Sequence, residues 1–181
     1  VGFTACDSFL DEEPKSSLTL DTYYKTSADI IGNVNYLYRD GAPDKMGNMT
    51  GAYRGSSLSV MNMVTGYFVN EYEGQEVDCS YARQLTRQNF TQSCCNYLTN
   101  DTWKGCYKSI NVANAVIKYV DGVEMDGQAQ YKAEARFFRA LNYFYLVKMF
   151  GDVPMITEPT EDATLVEYPA RTAASEVYKT V

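Results

Sequence analysis

The chain has 181 residues, of which 45% are hydrophobic, and this is enough for one domain with a substantial core. Its formal net charge is −7, and the absence of a concentrated basic run argues against nucleic-acid binding. Histidine is absent, which excludes Ser-His-Asp and Cys-His catalysis and removes the usual imidazole ligand of zinc sites.

The N-terminal residues are typical of an exported lipoprotein. Residues 1–5 look like the tail of a signal peptide's apolar region, and the small residues before Cys6 resemble a lipobox, with Phe3 in place of the usual leucine. Since no apolar stretch is long enough to span a bilayer, membrane attachment requires a lipid or a partner. We therefore predict lipid attachment at Cys6, the alternative being an ordinary cysteine in a leader. The acidic and then Ser/Thr/Pro-punctuated residues 7–20 are predicted to form an extended tether.

The first predicted helix covers residues 21–39, where apolar side chains recur at spacings of three and four. Asp21 or Thr19 is its expected N-cap, because short polar side chains accept hydrogen bonds from the free backbone N–H groups of a first turn. After this helix we predict an irregular loop at residues 41–57 and a short helix at residues 58–64. Another helix is predicted to begin at residue 172 and to run to residue 181.

From residue 66 to residue 100 the helical periodicity fails and tyrosines interleave with polar residues. A structureless segment of this length inside a compact domain is uncommon and often functional. Sugars present flat apolar faces and hydroxyl groups, which proteins bind with aromatic platforms and a few polar side chains. We predict a ligand-binding region here, the alternative being that the tyrosines pack the segment onto the helices. The candidate platforms and hydroxyl-contacting residues are Tyr72, Tyr81, Tyr97, Arg83, Gln84, Gln88 and Asn96.

Five cysteines are present and none forms a CxxC pair. With Cys6 set aside as the lipid site, four remain, and they are either buried thiols or one or two disulfides of an oxidising compartment. At least one disulfide is expected, with the pairing left open. Without histidine or a CxxC pair, no metal site is predicted. The four clustered cysteines are Cys79, Cys94, Cys95 and Cys106.

A clear helix is predicted at residues 103–120, with Asn100 or Asp101 as its cap and Gly122 at its end. Trp103, the only tryptophan, lies in the apolar stripe of this helix, so we predict that it packs in the core rather than against a ligand. The next helix follows after a short turn, which predicts an antiparallel helical hairpin.

The longest helical pattern runs from Asp126 to Pro154, with Asp126 as the expected cap and Gly151 at the expected left-handed C-terminal position. Almost the whole circumference is apolar, which indicates a helix buried by other elements. Glu134 and Lys148 lie opposite the polar stripe, where each is expected to have a partner. At about 100° per residue, one narrow polar stripe is formed by Lys132, Arg136, Arg139 and Asn142.

The core helix and the turn after it read AEARFFRALNYFYLVKMFGDVPMIT, at residues 133–157. Three further stretches occur with it: CDSFLDEEP at 6–14, WKGCYKSINVANAVI at 103–117 and YPARTAASEVYKTV at 168–181. In their order and spacing, these motifs resemble the SusD/RagB family of surface nutrient-binding lipoproteins of Bacteroidetes. The resemblance covers nearly the whole chain.

The resemblance implies an all-α, SusD-like helical fold with tetratricopeptide-type helix pairs and long irregular loops, although no strict repeat is visible. It implies a signal-peptide remnant, anchor and tether in residues 1–20, and the N-terminal part of the helical domain in residues 21–181. In the family, the loop ahead of the tryptophan helix belongs to the ligand-facing surface. This supports the region predicted above without assigning individual roles.

The implied function is capture of a glycan at the cell surface of the outer membrane and its delivery to a SusC-like TonB-dependent transporter, which the lipoprotein covers as a lid. The same role for peptides is one alternative, and a helical-repeat adaptor without a small ligand is another. No cofactor is implied. A glycoside hydrolase is not predicted, because nothing singles out two of the 23 Asp and Glu residues as a catalytic pair in a cleft.

Overall fold

The structure is a computed structural model, and it describes residues 19–39, 62–68, 83–89, 91, 102–161 and 169–181. This part of the chain is mostly helical, which confirms the all-α prediction, with one additional two-stranded sheet. The elements in chain order are α1 (Leu20–Tyr23), α2 (Ser27–Arg39), α3 (Lys104–Tyr119), a 3-10 helix (Val120–Gly122), α4 (Gln128–Phe150), β1 (Val153–Pro154), β2 (Arg171–Thr172) and α5 (Ala174–Thr180).

The helix predicted over residues 21–39 is broken into α1 and α2, so the prediction of one continuous helix is wrong. The break follows from a second set of capping bonds. The Asp29 carboxylate accepts hydrogen bonds from the Thr26 backbone N–H at 2.8 Å and from the Thr26 hydroxyl at 2.6 Å, which starts a new helix after Thr26. Of the two caps expected for the first turn, Thr19 is the one observed, since its N–H donates to Thr22 Oγ1 at 3.0 Å.

Helices α3 and α4 form the predicted antiparallel hairpin, because the start of α3 contacts the end of α4. The rings of Trp103 and Phe150 are 5.0 Å apart and nearly perpendicular, which confirms a packing role for the tryptophan. At the other end, the Gln128 side chain donates to the carbonyl of Val123 in the connecting turn at 2.5 Å. The cap predicted at Asp126 is wrong: Gly127 occupies the N-cap with φ of 77°, a left-handed conformation that suits a residue without Cβ.

Two apolar clusters form the described core. In the first, α2 packs on the hairpin through side chains such as Ile30, Val34 and Leu37, which are at most 1% exposed. In the second, β1 and α5 close over the far half of the hairpin. The second cluster consists of Cys106, Ile110, Tyr143, Leu146, Val147, Val153 and Val177.

The chain leaves α4 by the predicted turn. Gly151 ends the helix with φ of 70° and ψ of −126°, so it has the positive φ that favours glycine but not the left-handed helical conformation predicted for it. Pro154 then lies in β1, which pairs antiparallel with β2 in a sheet that the sequence did not indicate. The Asp152 carboxylate accepts the Ala174 backbone N–H at 2.9 Å, so the turn also caps α5 and ties the final helix to the hairpin.

The capping carboxylate at Asp29 gives α2 a pH-dependent stability. Hydrogen bonds from the Thr26 side chain and then the Thr26 backbone hold the pKa of Asp29 below its usual value. The stabilisation is therefore present above the pKa of an unfolded aspartate, about 3.9, and is lost as the pH falls through the lower folded pKa.

We expect Asp29→Ala to lower the melting temperature at neutral pH and to make little difference at about pH 2, measured by circular dichroism. The control is Glu124→Ala, which removes an exposed carboxylate in the hairpin turn. If Asp29→Ala lowered the melting temperature by the same amount at every pH, the capping role of the Asp29 carboxylate would be contradicted.

Candidate functional site

Three of the four residues in the polar stripe predicted on α4 are buried or half-buried. Asn142 is 0% exposed, Arg139 is half-buried, and Lys132 is half-buried in an ion pair with Asp121, while Arg136 is exposed. Buried polar side chains require hydrogen-bond partners. The partners of the stripe are Asp121, Asn114 and the carbonyl of Phe138, and Arg139 also reaches the carbonyl of Thr157 at 3.5 Å. Thr157 belongs to the segment that follows α4, Val153–Glu161, which we call the strap.

Two tyrosines of the hairpin hold the first half of the strap. The Tyr107 hydroxyl donates to the carbonyl of Pro154 at 2.8 Å. The Tyr143 hydroxyl donates to the carbonyl of Ile156 at 3.0 Å and accepts the Ile156 N–H at 2.7 Å, so one hydroxyl satisfies both backbone groups of a residue without a strand partner. Burial raises the pKa of Tyr143, which keeps the hydroxyl protonated and able to donate.

Asn114 is the central connection between the hairpin and the strap. It is 1% exposed, and its side-chain N–H groups donate to the carbonyls of Ile156 at 3.0 Å and Glu158 at 3.2 Å. Its side-chain oxygen accepts from Arg139 Nη1 at 3.0 Å, and the same nitrogen reaches the Thr157 carbonyl at 3.5 Å. Both amide N–H groups of Asn114 are thereby used, and its carbonyl accepts a charge-assisted bond.

The far end of the strap is held more loosely. The Thr160 N–H donates to the side-chain oxygen of Asn111 at 2.7 Å. The Glu161 carboxylate accepts the Tyr119 hydroxyl at 3.0 Å and pairs with Lys118, in an exposed arrangement of the kind that contributes little to stability. The strap is therefore fixed mainly by buried side chains of the hairpin acting on its backbone. Its own polar side chains at Thr157, Glu158 and Thr160 are left exposed.

Two buried polar atoms within the described residues have no hydrogen-bond partner there. They are Arg139 Nε and Asn142 Oδ1, a donor and an acceptor three residues apart on the inner side of α4. The side-chain N–H of Asn142 donates at 2.8 Å to the carbonyl of Phe138, which fixes the orientation of its amide. The inner side of α4 thus retains one unused donor and one unused acceptor.

Of the residues predicted to bind ligand, Arg83, Gln84 and Gln88 are described. Arg83 begins a helical turn at residues 83–86 whose Leu85 is 0% exposed, so the prediction of a segment without regular structure is wrong at this point. A single turn anchored by one apolar side chain is too short to produce a periodic pattern. The predicted residues that lie outside the described part of the chain are Cys6, Tyr72, Tyr81, Asn96 and Tyr97.

The polar residues around Arg83 are engaged locally. The Gln84 side chain accepts from the Thr91 hydroxyl, and its backbone carbonyl accepts the Asn89 N–H at 2.8 Å. Gln88 adopts φ of 53°, a left-handed conformation uncommon for a residue other than glycine. The Thr86 hydroxyl lies 3.5 Å from the sulfur of Met63, which joins this turn to residues 62–68. The described part of the segment therefore has local packing around the buried Leu85, whereas the alternative that the tyrosines pack the segment onto the helices concerns residues outside the described part of the chain.

The remaining cysteines and the acidic residues do not define a further site in the described part of the chain. Cys106 is 0% exposed in the second core cluster, and Cys79, Cys94 and Cys95 lie outside the described residues. Within the described ranges, no group of three or more cysteine, aspartate or glutamate side chains is arranged to hold a metal ion. None of the described helices is both long and apolar enough to cross a bilayer.

The α3 side chains that hold the strap were not among the site residues predicted from the sequence, although their spacing along the helix indicates a shared polar face. Tyr107, Asn111 and Asn114 recur at spacings of four and three on α3, the helix for which only core packing was predicted. Hydrogen-bonding side chains in such a stripe indicate polar contacts to another element. The structural motif at this site is thus a helical hairpin. Its asparagine and tyrosine side chains fix the extended segment that follows the Gly-Asp-Val-Pro turn.

The model of a SusD-like family, described as "Starch-binding associating with outer membrane", matches residues 8–181. The chain belongs to this family. It is 26% identical over 164 residues to one SusD-like protein of Formosa agariphila, covering 86% of this chain and 29% of that protein. A second SusD-like protein of the same organism is 26% identical over 174 residues, covering 95% of this chain and 32% of the relative.

A SusD-like protein of Bacteroides ovatus is also 26% identical, over 175 residues that make up 93% of this chain and 28% of the relative. The chain thus spans about a third of the length of the curated relatives it matches. No solved structure matches the chain.

The position of Asn114 predicts a large effect of its removal. Asn114→Ala leaves the Glu158 carbonyl without this donor, leaves the Ile156 carbonyl with the Tyr143 hydroxyl alone, and removes the nearest acceptor of Arg139. Each unsatisfied buried group costs about 1–3 kcal/mol, so we expect the free energy of unfolding to fall by about that amount or more in urea denaturation. Asn114→Asp restores the acceptor for Arg139 but not the donors, and it should remain destabilised. Asn35→Ala, on the exposed side of α2, is the control; equal stability of the Asn114 and Asn35 variants would contradict the role of Asn114.

Proposed function

We propose that the whole protein captures a nutrient at the cell surface and delivers it to a SusC-like TonB-dependent transporter of the outer membrane. The observation that carries this proposal is the family match over residues 8–181, whose description names both starch binding and association with the outer membrane. The role is one of binding and gating without covalent chemistry. A lid of this kind closes over its ligand because the ligand binds the closed state more tightly than the open one.

Attachment to the membrane is assigned to a lipid on Cys6. This residue lies two positions before the matched region begins, and small residues precede it. Three acidic residues follow at Asp11, Glu12 and Glu13, and they resemble the signal that sends Bacteroidetes lipoproteins to the cell surface. A triacylated cysteine anchors firmly, whereas a single acyl chain holds weakly.

The ligand is proposed to be an oligosaccharide or polysaccharide, bound by the tyrosine-rich region ahead of α3. Tyr72, Tyr81 and Tyr97 are the proposed stacking platforms, and Arg83 and Asn96 are the proposed contacts to hydroxyl groups. Aromatic faces match the apolar faces of sugar rings, and guanidinium and amide groups match their hydroxyls. A peptide is the alternative ligand for the same role.

The described hairpin supplies a firm base for such a region. Trp103, at the start of α3, is fixed between Tyr107 and Phe150, with ring centroids 5.0 Å away in both cases. The tyrosine-rich region enters α3 at this point, so its exit is held by the core. Binding loops on a rigid scaffold lose less conformational entropy when they engage ligand.

The proposal is tested first by purifying the full-length protein from detergent-solubilised outer membranes and identifying what accompanies it by mass spectrometry. We expect a TonB-dependent barrel protein in the eluate, acylation at Cys6, and a bound oligosaccharide. A trapped peptide would replace the glycan in the proposal and leave the transporter partnership intact. Recovery of the protein alone, soluble and without a lipid at Cys6, would contradict both the anchor and the partnership.

The proposed binding residues are tested by alanine substitution in the full-length protein, with affinity for the identified glycan measured by calorimetry. Loss of a stacking platform is expected to weaken binding about tenfold, which corresponds to about 1.4 kcal/mol. Tyr178→Ala is the matched control, because Tyr178 is a 47% exposed tyrosine on α5, remote in sequence from the proposed region. Unchanged affinity in the Tyr72, Tyr81 and Tyr97 variants would show that the ligand binds elsewhere on the protein.

A further inference from the structure

Residues 62–68 form a tight turn that ends in two exposed aromatic residues. The Thr65 hydroxyl donates to the carbonyl of Asn62 at 2.6 Å and accepts the Tyr67 backbone N–H at 3.2 Å. Gly66, between them, has φ of 79°, which suits a residue without Cβ. The Thr65 side chain and the Gly66 backbone thus fix the point at which Tyr67 leaves the turn.

Tyr67 is 90% exposed, the highest value among the large hydrophobic side chains of the described residues, and Phe68 beside it is 53% exposed. Within the described part of the chain, the Tyr67 side chain has neither a hydrogen-bond partner nor an aromatic neighbour. Other exposed tyrosines are engaged: the Tyr23 hydroxyl accepts a hydrogen bond at 3.1 Å, and the Tyr38 ring packs on Phe138 at 4.6 Å. The Tyr67 ring is therefore held at the surface by its backbone and is open to a ligand.

A second turn contacts the first and exposes polar side chains. The Thr86 hydroxyl lies 3.5 Å from the sulfur of Met63, which precedes Tyr67 by four residues. The buried Leu85 anchors this second turn, so the polar residues after it project from a packed base. The exposed residues that follow Thr86 are Arg87, Gln88 and Asn89.

An exposed aromatic ring beside guanidinium and amide groups matches the chemistry of a sugar. The ring stacks on the apolar C–H face of the sugar, and the polar groups contact the hydroxyls around its edge. A ring on a fixed turn does not have to be ordered when the ligand binds, which lowers the entropic cost of binding. A protein surface is the alternative occupant, and footprinting distinguishes the two.

We propose that Tyr67 is a stacking platform for a glycan, placed by the Thr65–Gly66 turn, and that Arg87 on the neighbouring turn contacts hydroxyl groups of the same ligand. Neither residue belongs to the set of binding residues predicted from the sequence. The inference rests on the proposed function, because it assigns further residues to the same binding region.

The first test measures glycan binding by the full-length natural polypeptide. An array of neutral, acidic and sulfated polysaccharides that includes soluble starch identifies a bound glycan, and calorimetry gives the affinity for an oligosaccharide derived from it. We expect Tyr67→Ala to weaken binding about tenfold and Arg87→Ala to weaken it severalfold, whereas Tyr67→Trp retains a stacking ring and the affinity. The melting temperature should not change, since both side chains are exposed. Tyr178→Ala, at an exposed tyrosine on α5, is the control.

The outcomes separate this inference from the proposed function. If Tyr67→Ala bound the glycan as tightly as the unsubstituted protein, Tyr67 would not be a platform and the proposed function would stand. Unchanged affinity in Arg87→Ala would remove Arg87 from the site. If the unsubstituted protein bound no glycan of the array, the proposed glycan function would fail and this inference with it.

The second test displaces the Tyr67 ring without removing it. A Cβ at Gly66 or at Gly32 would meet nothing within 4 Å among the described residues, but only Gly66 has a positive φ. Gly66→Ala therefore strains the turn without a clash, and we expect severalfold weaker glycan binding. Gly32→Ala, on α2, should bind as the unsubstituted protein does. Equal affinity in the two glycine variants would contradict the placement of Tyr67 by its turn.

Hydroxyl-radical footprinting with mass spectrometry distinguishes a glycan from a protein as the occupant. In the full-length protein, Tyr67 should be oxidised readily and should be protected when the bound glycan is added, while oxidation of Tyr178 stays the same. Protection of Tyr67 without glycan would show that further polypeptide covers it, and protection by the co-purified transporter alone would show a protein contact. Either result would overturn the proposal, as would oxidation of Tyr67 that the glycan leaves unchanged.

Discussion

The structure depends on the hydrogen bonds with which the α3–α4 hairpin holds the chain that leaves it. A peptide that runs against a helical surface without a strand partner exposes backbone groups that are costly to bury. Asn114 and Tyr143 satisfy these groups for Ile156 and Glu158, and Arg139 holds Asn114 in place. The short sheet and the capping of α5 by Asp152 follow from the position in which the strap begins.

This arrangement explains why the core helix combines a polar stripe with an otherwise apolar circumference. Its polar side meets the strap, and part of its apolar side packs on α2 and α3 through residues such as Ala135 and Phe138. Phe137 and Phe144, on the side away from the core, are exposed. One helix thus contacts an extended segment on one side and exposes phenylalanine side chains on another.

The sequence patterns predicted the long helices well but predicted their caps and breaks less well. The hairpin helices were predicted within a few residues, because their apolar periodicity extends over several turns, and Gly151 and Pro154 marked the end of α4. The cap at Asp126 was wrong because Gly127 in the left-handed conformation takes that position, and the break before α2 was missed because the Thr26–Asp29 bonds compete with helix continuation. The contacts between α3 and the strap join residues more than 40 positions apart, which periodicity cannot reveal. The ligand-binding residues predicted from the sequence, other than Arg83, Gln84 and Gln88, lie outside the described residues, so they remain predictions.

Hydrogen exchange at the strap amides measures most directly whether the hairpin holds the strap as described. The Ile156 N–H donates to the Tyr143 hydroxyl at 2.7 Å and the Thr160 N–H donates to Asn111 at 2.7 Å, although neither residue lies in a helix or strand. Exchange followed by NMR should be slower at both amides than at the neighbouring amide of exposed Thr157, and by about tenfold or more at Ile156, where 1.4 kcal/mol of protection corresponds to a factor of ten. Equal and rapid exchange at all three amides would contradict a strap fixed by buried tyrosine and asparagine side chains.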